Sequence, residues 1–256
     1  MTHKTVLSVA AAAVAASAFA TSAQVTDPLV TVSVSSALGS GSVSFNIADG
    51  AIVQPNGAIA FILFNTPLDI VDPNNNNVIA TITQLISINN ADDTTTTTSD
   101  PSSAISFAMF AGGADTDVTI TASHIFTGSI VNAALRATAG ITVTDNDGDG
   151  ATLIGTGPGG TMHNTVYNGG TTFTDLITGP LIAGNTGSNS SSQDLPAAPG
   201  VFMPIANPLT DMQAQYNFNL SANDSASGTS GYFAIPAPAS VVLLGFAGMT
   251  ITRRRR

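Results

Sequence analysis

Apolar and polar positions alternate with a period of two along much of this 256-residue chain. "TVSVS" (Thr31 to Ser35), "SVSFNI" (Ser42 to Ile47) and "VTITAS" (Val118 to Ser123) show the pattern. "QAQYNFNLS" (Gln213 to Ser221) carries it unbroken and puts Ala214, Tyr216, Phe218 and Leu220 on one face. Side chains of a strand point alternately to opposite faces, so each stretch predicts a strand with one face buried. "AIAFILF" (Ala58 to Phe64) and "AISFAMF" (Ala104 to Phe110) are nearly continuous apolar runs and predict central strands buried on both faces. "NVIATITQLISI" (Asn77 to Ile88) predicts a further long strand, and "SIVNAALRATAG" (Ser129 to Gly140) fits either a short helix or an extension of the sheet.

Turn chemistry separates these runs: "ADG" (Ala48 to Gly50), "PNG" (Pro55 to Gly57), "DPNNNN" (Asp72 to Asn77), "DNDGDG" (Asp145 to Gly150) and "NGG" (Asn168 to Gly170). Many short strands punctuated in this way predict an all-β fold, a β-sandwich or jelly-roll-like domain. Two polar segments predict loops. One is "NNADDTTTTTSDPSS" (Asn89 to Ser103); the other, Thr178 to Gly200, is rich in Gly, Ser and Pro and suits a linker or a long excursion. The piece that follows, Val201 to Ile235, is too short to fold alone, so its strands are expected to return to the main sheet.

Composition strengthens the β reading. The sixteen acidic residues are all Asp, and without Glu and with few Lys or Arg the chain is poor in helix formers. Residues 24–235 carry sixteen Asp against Arg136 alone, a formal charge of −15. Such a surface repels phosphate backbones and anionic headgroups, which argues against nucleic acid as a partner, and it attracts divalent cations. There is no Cys, hence no disulfide and no thiolate metal site; export remains open to such a chain.

The two ends carry an address. "MTHKTVLSVAAAAVAASAFATSAQV" has a basic start at Lys4, an apolar stretch from Val6 to Phe19 and small residues after it, the order of a secretory signal peptide over residues 1–23 with cleavage after Ala23, or alternatively after Ala20. At the far end, "PAPASVVLLGFAGMTITRRRR" sets an apolar run, Ala239 to Thr252, directly before Arg253, Arg254, Arg255 and Arg256. As a helix that run is ~21 Å long, short of a bilayer core of about 30 Å, and snorkelling arginines supply part of the difference. The arginines favour the cytoplasmic side, leaving the passenger outside, in agreement with the signal.

This tripartite end resembles the PEP-CTERM sorting signal of Gram-negative bacteria, a short Pro-Glu-Pro motif followed by a hydrophobic helix and a basic tail. The resemblance covers residues 236–256. The motif stands here as Pro236-Ala237-Pro238, with Ala237 in place of the Glu, a variant similar to those of planctomycete-like proteins. The resemblance implies an exosortase-type enzyme that processes the chain near the motif, after signal peptidase. The passenger, residues 24–235, would then pass from transient inner-membrane anchorage to the cell envelope or extracellular matrix, with extracellular polysaccharide as a partner.

The chemistry within the passenger is sparse. In "DNDGDG", Asp145, Asp147 and Asp149 alternate and Gly150 allows a sharp turn, an arrangement that suits Ca²⁺. Thr156 stands where an EF-hand has its bidentate Glu, and the flanks "ITVT" and "ATLI" are strand-like, so the expectation is a β-hairpin loop site. The same residues also solve the backbone geometry of a turn. His124 and His163 are the histidines beyond the signal; both read as structural or surface residues. Neither a G-x-S-x-G elbow nor H-E-x-x-H occurs, and no Trp and three Tyr leave little stacking surface for sugars. No catalytic residue is assigned and an enzyme is not expected. The expected role is a structural or adhesive surface or matrix protein; the alternatives are a Ca²⁺-dependent glycan- or protein-binding module and, behind it, a secreted hydrolase.

Overall fold

A computed structural model describes residues 24–54, 58–91, 101–122 and 125–236. The chain begins in one sheet with β1 (Gln24–Val25), β2 (Val30–Ser36) and β3 (Gly39–Phe45), then crosses to a second sheet for β4 (Ile52–Val53), β5 (Ile59–Val71), β6 (Val78–Asn90) and β7 (Ser102–Ala111). It returns to the first for β8 (Thr116–Ala122) and β9 (Ile125–Ile130), and enters the second again for β10 (Ala133–Thr144). The first sheet then receives β11 (Ala151–Gly155), β12 (Thr161–Tyr167), β13 (Thr171–Thr178) and β14 (Leu181–Ala183). β15 (Ser188–Leu195) and β16 (Met203–Pro204) belong to the second sheet, β17 (Leu209–Leu220) to the first and β18 (Ser225–Pro236) to the second. All pairings are antiparallel. The fold is nearly all-β, and its two sheets share one apolar core, consistent with a β-sandwich.

β17 is the spine of the first sheet. On one side it pairs with β9 and then β8, on the other with β12 and then β11. Its unbroken alternation explains this place: Ala214, Tyr216, Phe218 and Leu220 are all buried, as expected, while Gln213, Gln215, Asn217 and Asn219 form the outer face. Aromatic rings close the gap between sheets. Phe107 of β7 meets Tyr216 edge-on at 5.0 Å and stacks near Phe218 at 5.7 Å; Phe45 of β3 stacks on Phe61 of β5 at 4.3 Å. Each such side chain contributes ~1.5–3 kcal/mol when fully buried.

Several expectations change. "SIVNAALRATAG" is no helix: it ends β9, turns at 131–132 and starts β10. Thr178 to Gly200 is no linker either, for β15 within it pairs with β10 from Ala137 to Thr144. Its sequence, "SNSSSQDL", lacks apolar alternation because main-chain hydrogen bonds hold it at the sheet margin. As expected, the last segment returns to the body, β18 lying between β10 and β7. The two apolar runs are not buried on both faces. β7 alternates buried and part-exposed positions, and in β5 Ile62 and Phe64 are exposed, because each sheet has a single core side.

The signal peptide expected over 1–23, with Ala23, lies outside the described residues, as do Ala237, Pro238, the apolar run 239–252 and Arg253 to Arg256. Pro236 is described, as the last residue of β18, opposite Ala133. Among the described residues no helix is long and apolar enough to cross a membrane. The "PNG" turn, His124 and most of the Thr-rich segment, 92–100, are likewise outside the described residues.

Candidate cation-binding loop

Four sheet-to-sheet connections meet at one end of the molecule: β7 to β8, β10 to β11, β14 to β15 and β17 to β18. Main-chain bonds tie them together, Asn223 N–H to Gly112 O at 2.8 Å, Ala111 N–H to Asp224 O at 2.9 Å and Asp145 N–H to Gly187 O at 3.0 Å. The "DNDGDG" segment is the β10–β11 connection. The expectation of a hairpin is corrected here, since β10 and β11 belong to different sheets and β11 pairs with β14 and β17 instead. The turn glycines do what their spacing suggests, Gly148 and Gly150 taking φ of 92° and 101°, a region that favours Gly.

The three aspartates are brought together: one carboxylate oxygen from each of Asp145, Asp147 and Asp149 lies within 4.8 Å of the others. Their roles differ. Asp145 is buried, and one of its oxygens accepts the N–H groups of Asp147 (3.2 Å) and Gly148 (2.9 Å) while the other accepts that of Thr186. It therefore ties its own loop to the β14–β15 loop. Burial resists its ionisation, yet the N–H donors of Gly148, Thr186, Gly150 and Asp147 prevail and hold its carboxyl below the usual range.

Asp147 and Asp149 are exposed. Asp147 accepts Asn223 Nδ2 at 3.3 Å and the Asp149 N–H at 3.4 Å. The Asp149 carboxyl is raised above its usual range by a hydrogen bond shared with Asp147, then by the Asp147 charge, by burial and by the charges of Asp224 and Asp145. Asp224 lies fully buried beneath, accepting Asn146 N–H at 3.2 Å and the Ser221 hydroxyl. Among the described residues no basic side chain answers this charge. Arg136, the only Lys or Arg in 24–235, sits nine positions before Asp145 in β10, ~30 Å away along the strand, and pairs with Asp194 at 3.2 Å. Chemically the cluster offers hard oxygen donors to a hard cation, with Asp147 and Asp149 the freer ligands.

Sequence reading missed Asp224, Ser221, Asn223 and Thr186, which join the loop from far along the chain. "SANDS" (Ser221 to Ser225), a second Asp-bearing turn, was the available signal. His163 is completely buried in β12, its ring 4.7 Å from that of Tyr216, and burial pushes its pKa down to about 3. It stays neutral and out of reach of a substrate.

No family model and no curated protein matches the chain. Among solved structures, the chain is similar to the enzymatically active domain of bacteriophage CBA120 tailspike protein 4 at 14% identity and TM-score 0.26, over 71% of this chain and 20% of that one. It is similar to the infectious bursal disease virus Gx strain structure at 16% identity and TM-score 0.27, over 82% and 51%. The chain thus spans about a fifth and about half of these neighbours, and likenesses this low carry nothing on function.

Proposed function

We propose that the chain is an exported, envelope-sorted β-sandwich protein of the bacterial surface or extracellular matrix, with a structural or adhesive role. In this reading residues 1–23 are its signal peptide and 236–256 its PEP-CTERM-like sorting signal, with one short membrane helix before the arginines. The observation that carries the reading from the geometry is the pair of outer sheet faces. On the first sheet, Thr119, Asn217 and Asn164 form a hydrogen-bonded row across β8, β17 and β12, with Gln215 to Thr121 beside it. On the second, a shallow trough of ≈ 430 Å³ crosses the strands, lined by Ser106, Thr142, Ser190, Ser192, Ser227 and Thr229. Hydroxyls and amides dominate both faces, with the carboxylates of Asp117 and Asp175 flanking the first row, and such groups suit contact with hydrated polysaccharide. Fractionation of cells tests the reading: the mature protein should begin near Gln24 in envelope or medium, and neutralising Arg253 to Arg256 should disturb membrane retention and processing. Intact Met1 to Ala23 on the surface protein, or unchanged sorting without the arginines, would overturn it.

The crowding of Asp147 and Asp149, without a basic partner among the described residues, favours a second reading, a Ca²⁺-dependent glycan- or protein-binding module. Its ligands would be Asp147 and Asp149, helped by the remaining lone pairs of Asp145. The metal would screen the mutual repulsion that raises Asp149.

A further inference from the structure

β5 presents an open apolar edge. Among the described residues β6 pairs with it from Ile59 to Phe64 and from Leu68 to Val71, whereas on the other side β4 pairs with Ile59 and Ala60 alone. An unpaired edge leaves a row of N–H and C=O groups that another strand can take. Among the described residues the other long edges are blunted by composition, β3 as "GSGSVSF", β15 as "SNSSSQDL" and β13 as "TTFTDLIT" with its Asp175. β5 reads "IAFILFNTPLDIV", with Ile62 and Phe64 49% and 57% exposed on its outer face. Ile88 of β6, opposite Ala60, extends the exposed apolar surface. A contiguous apolar patch on an open edge marks an interaction surface.

Charge and register select the occupant. With a formal charge of −15 on residues 24–235, most faces of two copies repel each other. From Ile59 to Leu68 there is no charged residue, so two β5 edges meet without opposing carboxylates. β4 already holds Ile59 and Ala60, and Pro67 has no N–H to donate, which leaves the outer edge of Phe61 to Thr66 without a strand partner among the described residues. Within that stretch, an antiparallel pairing that continues the outer face has its two-fold axis at Leu63. It sets Ile62 of each copy against Phe64 of the other, so the exposed side chains cover each other in an isologous contact.

We propose that β5 is a self-association edge, through which two copies of this chain pair antiparallel over Phe61 to Asn65 and join their second sheets into one. The inference deepens the structural reading above, resting on it for purpose and not for geometry. The absence of Cys makes single-cysteine probes in the full chain unambiguous. Under mild oxidation in detergent, a mixture of Ile62→Cys and Phe64→Cys chains should cross-link more than either alone, and Leu63→Cys should cross-link by itself. Ile182→Cys, equally exposed but on β14, should not. Adding Phe64→Asp should cut the Leu63→Cys dimer about tenfold or more, because it puts two carboxylates into the contact, while thermal melts show the fold intact. Equal cross-linking at Ile182, none at β5, or cross-linking at β5 that appears only after residues 237–256 are removed would overturn the proposal. The last outcome would make that segment the occupant. A chain that is exported yet does not pair sinks this inference alone, and one that pairs without being exported sinks the surface reading alone.

Discussion

Two corners of the molecule use a buried aspartate in the same way and differ in what surrounds it. At the β5–β6 turn, Asp72 accepts the N–H of Asn74 at 2.6 Å and that of Ser40 at 3.1 Å, holding its turn against the β2–β3 turn. At the β10–β11 connection, Asp145 joins its loop to the one bearing Thr186. Both carboxyls sit below the usual range: the Asn74 N–H is the chief cause for Asp72, and at Asp145 several N–H donors outweigh burial. Around Asp72 the turn is completed by Asn74, Asn75 and Asn77, neutral amides. Around Asp145 it is completed by Asp147 and Asp149, with Asp224 below. A tight corner needs one carboxylate. Further carboxylates add repulsion that the turn does not require, and that surplus is what makes the second corner a candidate cation site.

Glycine substitutions give the largest expected effect and test how rigid each corner is. Gly39 has φ of 130°, and a Cβ there would lie 1.9 Å from an Asp72 carboxylate oxygen. Gly39→Ala therefore strains the backbone and expels the bracket, and should cost about 3 kcal/mol or more. Gly148 has φ of 92°, but a Cβ there meets only Thr186 Cγ2 at 3.9 Å, so Gly148→Ala should cost about 1–2 kcal/mol, from strain alone. Urea unfolding measures both. Equal costs would mean that the Asp72 corner yields as easily as the other, and the contrast in rigidity would fall.

The two corners also show what was legible in the sequence. Both turns were, because Asp, Asn and Gly at such spacing solve local backbone geometry. The brackets were not: Ser40 lies 32 residues from Asp72, and Thr186 lies 41 from Asp145. β17 was legible down to its buried face because one face of it meets the core along its whole length. β15 was not, since all its side chains but Leu195 are polar and it is held by main-chain pairing and polar ties such as Ser188 to Thr144 and Asp194 to Arg136. β5 was recognised as a strand but misplaced as central. An apolar run reports hydrophobicity, and the same run suits a buried strand and an edge that awaits a partner. Whether two neighbouring strands share a sheet is likewise not a local property, so "ITVT" and "ATLI" suggested a hairpin where the chain changes sheets.

Calcium should separate the corners by a smaller margin. If Asp147 and Asp149 hold a cation, free Ca²⁺ at about ten times the dissociation constant stabilises the fold by about 1.4 kcal/mol, a rise of a few degrees in Tm. Mg²⁺ at equal ionic strength reports general screening of the acidic surface. The double change Asp147→Asn with Asp149→Asn should remove the Ca²⁺-specific part while keeping the Asp145 bracket. Asp72→Asn should leave the Ca²⁺ response in place and lower stability without metal. A Ca²⁺ response that survives the double change would reduce the loop to a turn, and the binding-module reading would lose its support.

The smallest effect lies in the pH dependence, where the two kinds of aspartate have opposite signs. A carboxyl lowered in the folded state, as at Asp72 and Asp145, contributes stability that is present above the ordinary value of 3.8 and is lost as pH falls through the folded value. Asp149 is raised, so its folded form takes up a proton before the unfolded form does, and stability rises as pH falls from its folded value towards 3.8. Metal-free protein taken down from neutral pH should therefore gain slightly in Tm first, and then lose as pH goes below 3.8 and the brackets protonate. Asp149→Asn should raise Tm at neutral pH and erase the early gain without moving the later loss. Asp72→Asn should reduce the later loss and leave the gain. If the early gain persists without Asp149, the crowding of Asp147 and Asp149 is relieved in solution, and the surplus charge that distinguishes the two corners is not felt by the fold.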